Sequence, residues 1–97
     1  MYEINNTVRD SIFDGLTATV ISKTETCETL LITLEEDAVF PEHTSPRDAL
    51  LVMLEGAIVF NISGREFRLE KYQTFTFPAD EKHQVLAKEN AKFLIVR

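Results

Sequence analysis

The sequence predicts an all-β protein, an antiparallel sandwich or a small barrel. Eight or nine short segments either alternate apolar and polar residues or form brief apolar runs, as strands do. Turn residues such as Asp14-Gly15 and Ser63-Gly64 separate these segments, and no stretch has a convincing helical period. Short strands repeated along a chain with turns between them are typical of sandwiches and small barrels.

The first third of the chain contains a polar N-terminal segment and three alternating segments. Residues 1–15 are mostly polar, and we expect them to form an arm or a short edge strand. The segments that follow are β-branched or alternate with a period of two, which favours strands. The predicted strands of this part are residues 16–23, 28–34 and 38–40.

The run Ala49–Leu54 is the most apolar segment, and it indicates a strand that is covered on both faces. Its six successive apolar residues show no polar alternation. A buried helix could have the same composition, but the run is short and lies between Pro46 and Gly56. The later segments alternate more plainly, with Ser63-Gly64 as a tight hairpin turn. The strands predicted there are residues 57–62, 66–69, 74–77, 83–87 and 91–96.

Composition limits the class of protein and of partner. The 97 residues are enough for a single domain, and a content of 44% hydrophobic and 27% charged residues is that of a globular protein. The net charge of −6 is spread along the chain, so nucleic acid and anionic membrane surfaces are not expected as partners. A single cysteine and the lack of a basic segment followed by an apolar one predict a cytoplasmic protein.

The two histidines are the strongest candidates for a functional site. His43 lies in the loop before the apolar run, and His83 follows Phe77-Pro78 in a similar setting, forty positions later. We expect the chain to fold back so that both imidazoles meet at one pocket mouth. A neutral pair there can bind a ligand or transfer protons near pH 7.

Residues 37–56 resemble the first motif of the cupin superfamily, the small jelly-roll β-barrels. That motif has Gly, five residues, His-x-His, three or four residues, Glu, six residues and Gly. His43 and Gly56 match it, whereas Asp37, Ser45 and Ala49 replace its first Gly, second His and Glu.

Residues 72–87 resemble the second cupin motif, Gly, five residues, Pro-x-Gly-x-x-His, three residues and Asn. Pro78 and His83 match it, whereas Tyr72, Asp80 and Ala87 replace the two Gly residues and the Asn. Both motifs occur in the right order, with a hairpin between them. The resemblance therefore implies a single cupin domain over residues 1–97, a small antiparallel jelly-roll β-barrel of the double-stranded β-helix type.

The resemblance also implies a place for a divalent metal ion. Metal-binding cupins use three His and one Glu to hold zinc, iron, manganese or nickel. This chain keeps two of the four ligands, His43 and His83, so the predicted metal site is incomplete and any such ion is weakly held.

If Ala49 points inward like the family's Glu, the space beneath the histidines is apolar. Leu51 and Met53 then share that inner face, and Val85 and phenylalanines complete the apolar lining. Ser45 lies beside the histidine, and Arg47 on the next turn could attract an anionic group. The predicted ligand-binding residues are His43, Ser45, Arg47, Met53, His83 and Val85. The other face of the apolar run needs a cover, which predicts a homodimer or an additional N-terminal strand.

Three functions are compatible with this reading. The first is a binding module that holds a small organic ligand at the barrel mouth, with or without a weakly bound metal. The second is a metal-dependent enzyme, a dioxygenase or an isomerase of small polar substrates. The third is a structural dimer with a filled barrel. The fold alone does not choose among them.

Overall fold

Two antiparallel β-sheets packed face to face make up the computed structural model, which describes residues 2–97. One sheet has five strands in the order β1-β2-β9-β4-β7, and the other has four in the order β3-β8-β5-β6. The chain moves repeatedly between the two sheets, which is the jelly-roll arrangement that the sequence predicted. The strands are β1 (Leu16–Lys23), β2 (Glu28–Leu34), β3 (Val39–His43), β4 (Ala49–Glu55), β5 (Ala57–Ile62), β6 (Arg65–Glu70), β7 (Thr74–Phe77), β8 (His83–Ala87) and β9 (Ala91–Val96).

The apolar run forms strand β4, in the interior of the five-stranded sheet between β9 and β7. Its inward residues Ala49, Leu51 and Met53 are fully buried, whereas Leu50 and Val52 on the other face are half-buried. This alternation is the period of two that a strand imposes. The run is therefore a strand, as predicted, and both of its faces are at least partly covered.

The core lies between the inner faces of the two sheets. Phe60 and Phe93 are its largest buried side chains, and they come from the four-stranded and the five-stranded sheet respectively. The hairpin between β5 and β6 turns at Ser63 and Gly64, which have φ angles of 54° and 71°. A two-residue hairpin with positive φ at both central residues matches the twist of its strands.

The N-terminal segment forms an arm and not an edge strand. A single helical turn, α1 (Thr7–Asp10), is its one regular element among residues 2–14, and no periodic pattern in the sequence predicts it. The ammonium of Lys92 donates a hydrogen bond of 2.7 Å to the carbonyl of Val8 and lies 5.6 Å from the ring centre of Phe13. The arm thus packs on the outer face of the five-stranded sheet. Within the described residues no helix has the length and apolarity needed to cross a membrane.

The arm leaves part of that outer face uncovered. Leu50 and Val52 on β4 and Leu94 on β9 are half-buried there. This is the surface that the predicted homodimer would cover, because apolar side chains of this kind are buried between subunits. The homodimer stays a prediction.

Candidate functional site

The two histidines lie opposite each other, one on each of two paired strands. His43 ends β3 and His83 begins β8, and they are direct partners in the antiparallel register. Their ring centres are 4.2 Å apart, with the planes inclined at 64°. The predicted meeting of the two imidazoles is therefore what the fold produces.

A β-bulge in β3 turns His43 inward. Phe40 pairs with Val85 and His43 with His83, so two residues of β3 lie opposite one residue of β8. In a regular strand, the third residue after an inward Phe40 would point outward; the extra residue reverses that direction. Pro41 occupies the bulge, where the missing backbone N–H is tolerated. His43 then stacks on Phe40 at 4.1 Å.

The loops that flank the histidines are held together by hydrogen bonds. The backbone N–H of Asp80 donates to the carbonyl of Ser45 at 2.9 Å. The backbone N–H of Ala79 donates to the carboxylate of Asp48, also at 2.9 Å. The loop after His43 and the loop before His83 therefore form one rim, which fixes the entrance above the histidine pair.

Both imidazoles use Nδ1 to bond to the backbone. Nδ1 of His43 lies 2.6 Å from the carbonyl of Pro41, and Nδ1 of His83 lies 3.0 Å from that of Glu81. A carbonyl only accepts, so Nδ1 carries the proton in each neutral ring and Nε2 keeps its lone pair. Every buried side-chain nitrogen and oxygen in the described part of the chain has a partner. Each Nε2 is therefore accessible, and the pair presents two hydrogen-bond acceptors to a ligand.

His83 is held in an apolar environment. It is 4% exposed, its ring stacks on Phe60 at 5.1 Å, and Phe77 lies 4.6 Å away. Burial lowers the pKa of His83 below its usual value, and the neighbouring His43 adds to the effect; the carbonyl and carboxylate of Glu81 oppose it. His83 is consequently neutral at pH 7.

This lowered pKa predicts that the protein loses stability in mild acid. Unfolded His83 takes up a proton near its ordinary pKa of about 6.5, whereas the folded residue does so only at lower pH. Between these two pKa values the unfolded state binds more protons. The free energy of unfolding should therefore fall as the pH drops below about 6.5, by at most about 1.4 kcal/mol per pH unit from this group. Urea unfolding at several pH values between 5 and 8 measures the slope.

The variant His83→Gln isolates the contribution of this group, since glutamine keeps a polar side chain that does not titrate. Its unfolding free energy should depend less on pH than that of the wild type between pH 5 and 7. Equal slopes in the two proteins would contradict the assignment, because the pH dependence would then come from other groups.

A cavity of about 390 Å³ lies between the sheets beneath the histidine pair. Its wall is mostly apolar and aromatic, with a few polar groups at the histidine end and at Arg97. Such a volume and composition are typical of sites for small organic molecules. The lining residues are Ala18, Leu30, Ile32, Phe40, His43, Thr44, Ser45, Pro46, Phe60, Phe77, His83, Val85, Phe93, Ile95 and Arg97.

Four of the six predicted ligand-binding residues line this cavity: His43, Ser45, His83 and Val85. The hydroxyl of Ser45 is already engaged, because it donates to the carbonyl of Arg47 at 2.7 Å. Ser45 therefore stabilises the rim turn, and its hydroxyl has no spare proton for a ligand.

The other two predicted residues, Met53 and Arg47, lie outside the cavity wall. Met53 is on the inner face of β4 as expected, but it is completely buried in the core, where neighbouring side chains surround it. Arg47 points along the outside of the rim and donates to the carbonyl of Thr26 at 3.0 Å. An inward-facing strand residue can lie either in the packed core or in the cavity wall, and the sequence pattern does not distinguish the two cases.

The residues at the mouth do not form a complete set of metal ligands. Among residues 2–97, no group of three or more His, Cys, Asp and Glu side chains is arranged to hold a metal ion. Catalytic zinc sites usually have three protein ligands, whereas the two imidazoles supply only two here. The nearest acid along the chain after Ser45 is Asp48, and its carboxylate accepts a hydrogen bond from the backbone N–H of Ala79. A divalent ion at this place stays an expectation that the donor set does not favour.

Comparison with known families agrees with the fold and with the two motifs. The family model described as the cupin domain matches residues 30–97, which is more than two thirds of the chain. The chain belongs to the cupin family. The comparison with curated proteins gave no match.

Several solved structures have the same fold at low sequence identity. An RmlC-like cupin protein from Desulfovibrio desulfuricans is similar with a TM-score of 0.86 at 19% identity, covering 99% of this chain and 95% of that one. A conserved protein of unknown function from Streptococcus pyogenes gives 0.77 at 23%, covering 99% and 93%. KdgF from a Halomonas species gives 0.77 at 20%, covering 84% and 76%. At these identities the likeness shows the fold.

Three positions where the cupin motifs have Gly carry other residues here, and all three have a positive φ angle. Asp37, Tyr72 and Asp80 have φ angles of 70°, 71° and 64°. Aspartate is among the residues that tolerate this left-handed region, whereas tyrosine rarely adopts it. The turns of both motifs therefore adopt a backbone conformation that favours glycine, although other residues occupy these positions.

Several cavity residues could not be identified from the sequence. The sequence predicts phenylalanines in the wall but not which ones, and the structure identifies Phe40, Phe60, Phe77 and Phe93. Nothing in the sequence indicates Arg97, because no motif marks the end of the last strand. It reaches the cavity because β9 pairs with β2, a register that the sequence does not reveal.

Proposed function

We propose that this cupin is a binding protein for a small, largely apolar organic molecule, which enters the cavity between the sheets. The observation that carries the proposal is the cavity of about 390 Å³ with its apolar wall and its histidine pair. A barrel that served only as structure would be filled by its side chains, so a cavity of this size argues against the structural alternative.

The wall favours an aromatic or branched aliphatic body in the ligand. Phe60, Phe77 and Phe93 offer ring faces and edges, and Ile32 and Val85 add aliphatic surface. Burial of an apolar ligand against these groups contributes about 25 cal/mol per Å² of surface removed from water. This term supplies most of the affinity, and it selects for shape more than for functional groups.

The histidine pair adds a directional contact. With Nδ1 of each ring bonded to a carbonyl, the two Nε2 atoms accept hydrogen bonds. A hydroxyl or amine of the ligand fits this end of the cavity. The same pair could exchange protons with a bound molecule. The alternative function, a metal-dependent enzyme, has no support from the metal-ligating side chains near the histidines in the described residues.

Filling the cavity from its wall on β1 tests the proposal. Ala18 on β1 lines the cavity and is exposed, so a larger side chain there blocks the space without overpacking the core. We expect 2-naphthol, an apolar bicyclic probe with one hydroxyl, to bind the wild type, and Ala18→Trp to weaken it at least about tenfold because the probe loses most of its buried surface. Isothermal calorimetry or ligand-observed NMR measures the affinity.

Thr19→Trp is the matched control. Thr19 is the next residue of the same strand and is also exposed, but it points to the opposite face of the sheet. This variant should bind 2-naphthol like the wild type. If the probe does not bind the wild type, or if both variants bind it equally, the cavity is not its site and the proposal is wrong.

A further inference from the structure

Arg97 brings a permanent charge to the apolar cavity. Among the lining residues that the structure describes, it is the one side chain that is ionised at every physiological pH. The side chain is 23% exposed, so it is largely enclosed by protein. The backbone of Arg97 extends the pairing of β9 with β2, because it exchanges two hydrogen bonds of 2.9 and 2.6 Å with the backbone of Glu28. These bonds fix the position of Arg97.

The guanidinium of Arg97 has donors left for a ligand. Its Nε donates to the carboxylate of Glu28 at 3.0 Å, and this is its one hydrogen bond to residues 2–97. The two terminal nitrogens are not buried, because no buried side-chain nitrogen in the same residues lacks a partner. They are therefore available as the planar fork that matches a carboxylate.

Arg97 gives this end of the cavity a net positive charge in an acidic protein. It also lines a second depression beside the cavity, together with Lys23, Arg47, Glu25 and Glu28. The charges of these four neighbours balance, so the charge of Arg97 is left in excess. The carboxylate of Glu28 is shared between Arg97 and Lys23, because Nζ of Lys23 lies 3.8 Å from its second oxygen. The chain as a whole carries −6, so this end of the cavity is a local exception that attracts an anion.

We infer that the ligand is a monocarboxylic acid with an apolar body, its carboxylate bound by the free edge of the Arg97 guanidinium. This inference rests on the proposed function and names the chemical class of the ligand. The apolar wall then holds the body of the acid, and Arg97 gives an orientation that the rings alone do not provide. A neutral molecule of the same shape leaves the guanidinium without its partner and binds more weakly.

A pair of probes that differ only in charge tests the inference. 2-Naphthoate and 2-naphthamide have the same bicyclic body, and the first carries a carboxylate where the second carries an amide. We expect the wild type to bind 2-naphthoate roughly tenfold more tightly, as a charge-assisted bidentate contact provides. Arg97→Gln should lose this preference and keep its affinity for the amide. Arg47→Gln, which removes a nearby arginine outside the cavity, should keep the preference.

A second variant keeps the test decisive if Arg97→Gln unfolds. Glu28 competes for Arg97, so Glu28→Gln should increase the preference for 2-naphthoate several-fold. Equal binding of the two probes by the wild type would overturn the inference and leave the proposed function standing. A preference that survives Arg97→Gln, or one that Glu28→Gln reduces, would also overturn it. Binding of neither probe would overturn both.

Discussion

Gly56→Ala is expected to destabilise the protein by roughly 3 to 5 kcal/mol, a large part of the stability of a small domain. Gly56 has φ +74°, a conformation that costs alanine about 1 kcal/mol or more. A Cβ at this position would also overlap the carbonyl oxygen of Asn90 and lie 2.9 Å from its carbonyl carbon. Both are backbone atoms, so the turn between β8 and β9 would have to move. Urea or thermal unfolding measures the loss.

Gly64→Ala separates the two causes. Gly64 has nearly the same φ, +71°, but an added Cβ there meets nothing within 4 Å. This variant should lose only the conformational term, about 1 kcal/mol. Similar losses in the two variants would mean that the close approach of Asn90 to Gly56 contributes nothing, contrary to the geometry.

The position of Gly56 explains why one motif glycine is kept while three others are replaced. Asp37, Tyr72 and Asp80 have positive φ, but their turns leave room for a side chain, and Tyr72 is 78% exposed. Gly56 must satisfy both the backbone conformation and the contact with the neighbouring turn. The sequence shows which glycines are replaced, whereas the reason depends on what each one touches.

Strand positions were predictable from the sequence because burial on one face leaves a period of two. Eight of the nine strands agree with the predicted segments to within one residue, and the run Ala49–Leu54 is a strand as predicted. The exception is β3, which continues three residues beyond the predicted 38–40, so that His43 ends a strand and does not lie in a loop. The meeting of His43 and His83 was also predictable, since the cupin motifs place both residues at the same end of the barrel. These features depend on local pattern and on family likeness.

Features that depend on register or on side-chain contacts were not predictable. The bulge at Pro41 decides which way His43 points, and a one-residue change reverses a strand's faces. Met53 and Val85 are both inward strand residues, yet only Val85 reaches the cavity. Arg97 enters the site because β2 and β9 are paired, although they lie at distant points of the chain. The arm's helical turn, only four residues long, is too short to leave a periodic pattern.

Phe60→Ala should cost about 3 to 5 kcal/mol of stability, the usual range for a buried phenylalanine. The side chain is 1% exposed, its ring centre lies 5.0 Å from those of Phe75 and Phe77, and it stacks on His83. Truncation removes these contacts together, and it enlarges the cavity, which cannot fully collapse between two hydrogen-bonded sheets. Chemical unfolding at pH 7.5, where His83 is neutral in both states, measures the loss.

The same substitution should raise the pKa of His83. Burial is the main reason that this pKa is low, and the Phe60 ring covers one face of the imidazole. Phe60→Leu keeps an apolar side chain in place, so it should lose only about 1 to 2 kcal/mol and leave the pKa lowered. NMR titration of the imidazole protons follows the shift in all three proteins. A pKa of His83 that stays unchanged in Phe60→Ala, despite the expected loss of stability, would mean that the other neighbours of His83 alone keep it from water.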